Sequence, residues 1–331
     1  LMALDAQSGA RKWHRTENVP GGIRGLAVGE GCLVAATDQG VLTCFSARKG
    51  WPPIVADTAD WRIAITRETT ALAEDIVQRA GAAGGYALVL GSADVQLAAG
   101  LARKSPFHVI HLSPDETAAS AAREALMHTD FYGTRVAVVA AGEATRLPLA
   151  SYFADMIVMT GDASALSGSE LYRMLRPCGG LLLFAGGVAP GEPGRIVTES
   201  GALDGEIRTD TNGCAMICRG PLPGAGEWRC QWADGGRTGI GEESRLHMPL
   251  GLLWFGGPGP NRMMDRHFGT STPLSVNGRV FLTGERHVIA YDAYNGRELW
   301  AHPLRGAGRM GAMWYCANIA ADNDMVYVAA G

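Results

Sequence analysis

Leu90-Gly91-Ser92-Ala93-Asp94, between a short apolar run and a helical stretch, has the residue types of a ligand loop. A glycine directly after a buried strand lets the backbone come close to a bound molecule, because no Cβ stands in the way. The next apolar run ends in Ser113, whose hydroxyl either faces a ligand or caps the following helix. Ser113-Pro114-Asp115-Glu116 has the order of a capping box with proline at the first helical position, so capping is the preferred reading. Other polar groupings carry less chemistry. Cys214 and Cys218 lie four apart on one face of an expected strand, which is not zinc-ribbon spacing, and with seven cysteines at least one is unpaired. His108 and His111 fall on opposite faces of a strand, so no shared metal is expected. Arg262, Asp265, Arg266 and His267 follow a Gly/Pro-rich stretch and read as a solvated loop.

The elements that hold these residues follow from periodicity. Near Thr69 the apolar period changes from 2 to about 3.6, and Leu72, Ile76, Val77 and Ala80 form a helical stripe that stops at Gly81. Strands are then expected at Tyr86–Leu90, His108–Leu112, Val136–Val139, Met156–Met159 and Leu181–Phe184. Helices alternate with them, from about Val95 to Lys104, up to about His128, and ending near Arg176. Such alternation implies a doubly wound parallel sheet, on which ligands bind beyond the carboxyl ends of the strands. Gly186 to Gly194 reads as a loop.

Three stretches together resemble a class I S-adenosylmethionine (SAM) dependent methyltransferase. They are Leu90 to Asp94, Phe153-Ala154-Asp155-Met156-Ile157-Val158, and Leu171-Tyr172-Arg173-Met174-Leu175-Arg176-Pro177-Cys178-Gly179-Gly180, with Leu147-Pro148 after the third strand. The resemblance spans roughly residues 60–185. It implies SAM as cofactor and a site made of Gly91, Ser92, Ala93, Asp94, Ser113 and Glu143, the last aligned with the family's acid that reaches the adenine amino group. The chain departs from the family where SAM would sit. Of the D-x-G-x-G-x-G loop only Gly91 survives; Val89, Ala93 and Val95 hold the other positions. The acid that would accept both ribose hydroxyls is Ser113, a change that costs about 1–3 kcal/mol as a charged acceptor becomes neutral. No catalytic residue follows from the resemblance, since methyl transfer needs mainly alignment. The family's sixth and seventh strands are not evident, because only about 20 residues separate the loop at 186–194 from a strand near Cys214 that reads as propeller.

On both sides of this α/β segment the chain repeats itself. Leu4-Asp5-Ala6-Gln7-Ser8-Gly9-Ala10-Arg11-Lys12-Trp13 returns as Tyr291-Asp292-Ala293-Tyr294-Asn295-Gly296-Arg297-Glu298-Leu299-Trp300, with a weaker copy through Ser46 and Gly50. Asp, Gly and Trp at intervals of four fit a strand, a turn and a strand, with the Asp accepting turn N–H groups and the Trp packed between units. Trp228, Trp232, Trp254 and Phe255 are likewise expected to fill gaps between blades. The phrase resembles the pyrroloquinoline-quinone (PQQ) type repeat of quinoprotein-like β-propellers, over roughly residues 1–52 and 213–331. The expected architecture is therefore multidomain. Partial PQQ-type β-propeller blades occupy residues 1–52 and 210–331, and an inserted Rossmann-like methyltransferase fold occupies 57–200, entered at Trp51-Pro52-Pro53.

Composition narrows the function. The chain has 331 residues, 47% hydrophobic and 19% charged, with a formal charge of −4; the pI is about 6.1. That balance argues against a nucleic-acid partner, and no apolar run reaches the roughly 18 residues of a membrane span. The chain opens inside one repeat and closes inside another, so it reads as a piece of a longer protein. The two resemblances imply a propeller that binds a protein or small molecule and carries a methyltransferase-like domain with degenerate SAM binding. The alternative is an active SAM-dependent methyltransferase whose propeller recruits the substrate. A PQQ-dependent dehydrogenase is disfavoured, because the family's calcium ligands and adjacent cysteine pair have no counterpart, so PQQ is not expected. Localisation divides the same way, outside the cytoplasm if a signal peptide precedes the chain and in the cytoplasm if SAM is used.

Overall fold

The computed structural model describes residues 1–15, 19–47, 63–81, 84–92, 94–142, 146–161, 166–185, 191–201, 205–209, 215–259, 262–263, 271–284, 286–306 and 318–329. Two compact units divide the chain, Leu1–Asp60 and Trp61–Gly331. The first unit holds the hairpin β1 (Met2–Leu4) and β2 (Arg11–His14). It also holds an antiparallel sheet of β3 (Ile23–Gly29), β4 (Cys32–Thr37) and β5 (Leu42–Ser46). The hairpin turn forms as the repeat predicts: Asp5 Oδ1 accepts from the N–H groups of Gln7 and Ser8, and Gly9 takes φ 70°. The expected junction at Trp51-Pro52-Pro53 lies outside the described residues.

In the second unit, α1 (Arg67–Ala80) starts at Thr66, whose hydroxyl accepts from Thr69 N, and ends at left-handed Gly81. There follow β6 (Gly85–Leu90), α2 (Gln96–Lys104), β7 (Phe107–Ser113), α3 (Glu116–Leu126), β8 (Val136–Ala140), β9 (Met156–Thr160), α4 (Gly168–Met174) and β10 (Leu181–Ala185). Then come α5 (Glu192–Ser200), β11 (Gly205–Thr209) and β12 (Ala215–Arg219). One seven-stranded sheet results, in the order β11-β12-β10-β9-β6-β7-β8. Strands β6 to β10 are parallel in the doubly wound manner, while β12 runs antiparallel to both β10 and β11.

Two expectations are corrected here. The stretch read as loop contains α5, begun by Pro193 in its first turn and ended at left-handed Gly201. The strand near Cys214 is β12, which pairs Leu181 with Cys218 and Leu183 with Met216, so it belongs to the α/β sheet and not to a propeller. Cys214 itself lies outside the described residues. Beyond the five expected strands, β11 and β12 thus complete the sheet.

Apolar side chains cover both faces of the sheet. Ala87, Val89, Val109, Val158 and Leu183 pack with Ala73, Ile76 and Leu101 on one side. Leu88, Leu90, Ile157 and Met159 pack with Leu171, Met174 and Ile196 on the other. Each buried valine, leucine, isoleucine or methionine among them stabilises by about 1.5–3 kcal/mol.

A second sheet in this unit is the antiparallel meander β13 (Leu274–Val276), β14 (Arg279–Thr283), β15 (His287–Asp292) and β16 (Glu298–Pro303). The hairpin β17 (Ile319–Ala321) and β18 (Val326–Val328) adds Ile319 and Ala321 to its core of Leu274, Val276, Phe281 and Ala290. These antiparallel sheets are small, and no closed ring of blades forms among the described residues. Nor do the aromatic residues behave as expected throughout. Trp228 packs on the meander core and Trp254 donates to Ala293 O at 2.9 Å. Phe255, however, is 92% exposed, and Trp13 and Trp300 stay more than a third exposed.

Candidate cofactor site

The carboxyl ends of β6, β7 and β9 bring together most of the residues singled out from the sequence. Gly91 has φ 90°, and a Cβ there would lie 1.7 Å from Thr160 O. Thr160 in turn donates its hydroxyl to Leu90 O at 3.0 Å. The glycine is therefore demanded by the close passage of β6 and β9, whatever binds nearby.

The loop after it is closed on itself. Ser92 Oγ accepts from Asp94 N at 3.1 Å, and both carboxylate oxygens of Asp94 are used by Gln96, from its main-chain N and its Nε2, each at 2.9 Å. Gln96 Oε1 then accepts from Thr66 N, tying the loop to the start of α1. Val95, at the third glycine position of the family loop, turns into the core and is 3% exposed. Ala93 and Glu143 lie outside the described residues.

Ser113 does not cap α3. The cap is Asp115, whose Oδ1 accepts from Ala118 N at 2.8 Å. The reason is sheet pairing: Ser113 stays in register with Ala140, and its carbonyl accepts from Ala141 N, so the helix starts two residues later than the capping-box reading placed it. Its hydroxyl is left fully buried with no hydrogen-bond partner.

Two residues earlier on the same side of β7, His111 is also 0% exposed, and neither ring nitrogen has a partner. Burial pushes its pKa down, opposed by the charge of Asp94, so the ring is held neutral. His108 points the other way, to solvent, with Nδ1 near Thr134 O. The sequence treats His111 only as a possible metal ligand; the signal it carries is a polar residue between the apolar Ile110 and Leu112 of an interior strand.

No family model and no curated protein matches the chain. Solved structures similar to it include three methyltransferases. A SAM-dependent methyltransferase of Methanococcus maripaludis is 20% identical over 46% of this chain and 85% of its own, with a TM-score of 0.40. A SAM-dependent methyltransferase of Aquifex aeolicus is 17% identical over 50% of this chain and 98% of its own, TM-score 0.38. A methyltransferase of Geobacter sulfurreducens is 19% identical over 47% and 82%, TM-score 0.33.

The fold assignment itself rests on the sheet: five parallel strands in doubly wound order followed by a reversed strand. Ribose hydroxyls call for a carboxylate at the strand ends, yet Val89 lies in the core, Ser113 is neutral, and Asp94 is engaged by Gln96. What the strand ends offer is two buried neutral groups, an imidazole and a hydroxyl, each able to donate and to accept.

Proposed function

We propose that this chain is a binding and scaffold protein in which PQQ-type repeats carry a methyltransferase-like domain that has lost effective use of SAM. The observation that carries the reading is Ser113, neutral and buried at the end of β7 where a ribose would need an acid, beside an Asp94 already engaged by Gln96. The repeats supply exposed antiparallel hairpins for a protein or small-molecule partner. Calorimetric titration with SAM and with its demethylated product is the test. Absence of binding up to millimolar ligand is expected, and micromolar binding of either overturns the proposal.

A second reading, an active SAM-dependent methyltransferase that recruits its substrate through the repeats, draws on the same hydroxyl. Ser113 Oγ has no partner within the protein, and a ligand hydroxyl would satisfy it. Under that reading SAM binds and Ser113→Ala weakens it.

A further inference from the structure

The other end of the sheet holds a second site, independent of how the cofactor loop is read. Two cavities, of about 560 and 390 Å3, lie where the chain leaves β12 and share Tyr152, Leu222 and Arg245 in their walls. Arg245 is common to both, and the other charged residues in their walls differ in sign. Arg173 and Arg219 join Arg245 around the smaller one, and Glu227 and Glu243 line the larger.

These charges are held in place. Arg219, 6% exposed, stacks its guanidinium over the rings of Tyr152 and Tyr172, at 5.1 and 5.3 Å, and donates to Leu175 O at 2.6 Å. Arg173 donates to both oxygens of Glu170 and to Leu149 O, each at 2.7 Å. On the acidic side, Glu227 Oε1 accepts from Asn277 N at 3.1 Å. Glu243 accepts from the main-chain N–H groups of Gly226, Leu246 and Arg245, which keep its carboxyl below the ordinary range. Tyr152 stands between the lobes at φ 61°, a left-handed conformation that costs a non-glycine residue about 1–3 kcal/mol and persists only where neighbours enforce it. One such neighbour is Arg173 O, which accepts from Tyr152 N at 2.7 Å. Cys178 and Asn277, at φ 57° and 46°, line the larger cavity as well.

We infer that this two-lobed cleft binds a small zwitterion, an amino acid or short peptide, with its carboxylate toward the arginine lobe and its ammonium toward Glu227 and Glu243. Opposite charges at the two ends of one cleft match opposite charges at the two ends of one ligand. The size of each lobe falls within the range of small-molecule sites, and Leu222 and Tyr152 offer the apolar wall for the ligand's body.

The test is calorimetric titration of the whole chain with leucyl-leucine, alongside its N-acetylated and its C-amidated forms. Saturable binding of the free dipeptide is expected, with each blocked form weaker by at least about tenfold, because each loses one charge-assisted contact. Arg245→Glu, at an exposed position, lowers affinity by a similar factor at an unchanged unfolding midpoint. Leu222→Trp, which fills the shared wall, abolishes binding and serves if the charge reversal perturbs folding. No saturable binding up to about 10 mM overturns the proposal. So does equal affinity of the two blocked forms and the free dipeptide, or binding unaffected by both substitutions.

Discussion

Asp155, just before β9, and Asp292, the last residue of β15, are joined through one guanidinium. Arg176 Nη1 donates to Asp292 Oδ2 at 2.7 Å, and its Nε lies 3.1 Å from Asp155 Oδ1, an ionic contact too poorly aligned to be a hydrogen bond. Both carboxylates are almost wholly buried. Asn295 and Arg297, between β15 and β16, reach Asp155 as well, at 3.1 and 3.3 Å. The repeated phrase is thus the element that fastens the meander to the amino end of the α/β sheet.

Removing the shared cation leaves two buried carboxylates facing each other. Arg176→Met is expected to destabilise the second unit by about 3–5 kcal/mol, read from denaturant unfolding. Arg297→Met, which touches only Asp155 and at longer distance, costs clearly less.

Glu170 gives a pH dependence. Burial works to raise its pKa, but the Arg173 guanidinium and the N–H of Leu147 outweigh it, so the group sits below its ordinary 4.5. Its stabilisation is complete above that value and is lost as pH falls through the lower folded value. Glu170→Gln should therefore flatten the acid side of a stability-against-pH curve below about pH 4.5, at a cost near neutral pH. An unchanged acid limb counts against this assignment.

His111 is predicted to be a stability burden. Two unpartnered ring nitrogens in the core cost about 1–3 kcal/mol, so His111→Leu should raise the unfolding free energy. The folded pKa lies below that of the unfolded chain, so wild-type stability falls as pH drops below about 6.5. The gain from His111→Leu is then larger at pH 5 than at pH 7.5. Chemical denaturation at the two pH values checks both parts.

Gly91→Ala should lower stability by at least about 2 kcal/mol, because the new Cβ meets the main-chain oxygen of Thr160 and the φ of 90° disfavours any side chain. Gly9→Ala, at φ 70° with nothing within 4 Å, pays only the conformational part and loses about half as much. Thermal melts of the two variants separate packing from backbone strain.

Much of the α/β sheet was legible because its strands are continuous apolar runs and its helices change the period from 2 to 3.6. The antiparallel end was not. β12 has the alternation of any exposed hairpin strand, and only its pairing with β10 reveals which sheet it joins. α5 was hidden by Pro193 and Gly194, which read as loop until proline is placed in a first turn. Ser113 was misplaced for a related reason: local sequence favoured a cap, and long-range pairing with Ala140 overrode it. His111 was visible as a residue but not as an unsatisfied one, since satisfaction is a property of neighbours.

The two copies of the repeat show what the aspartate in it is for. In each, Oδ1 shapes the turn by accepting main-chain N–H groups, and Oδ2 points outward, to Lys12 in the first copy and to Arg176 in the second. One carboxylate oxygen is thus a hinge pin and the other a handle. The phrase can be duplicated without change to its own folding: in the first copy the handle closes on Lys12 of the same hairpin, and in the second it reaches another element through Arg176.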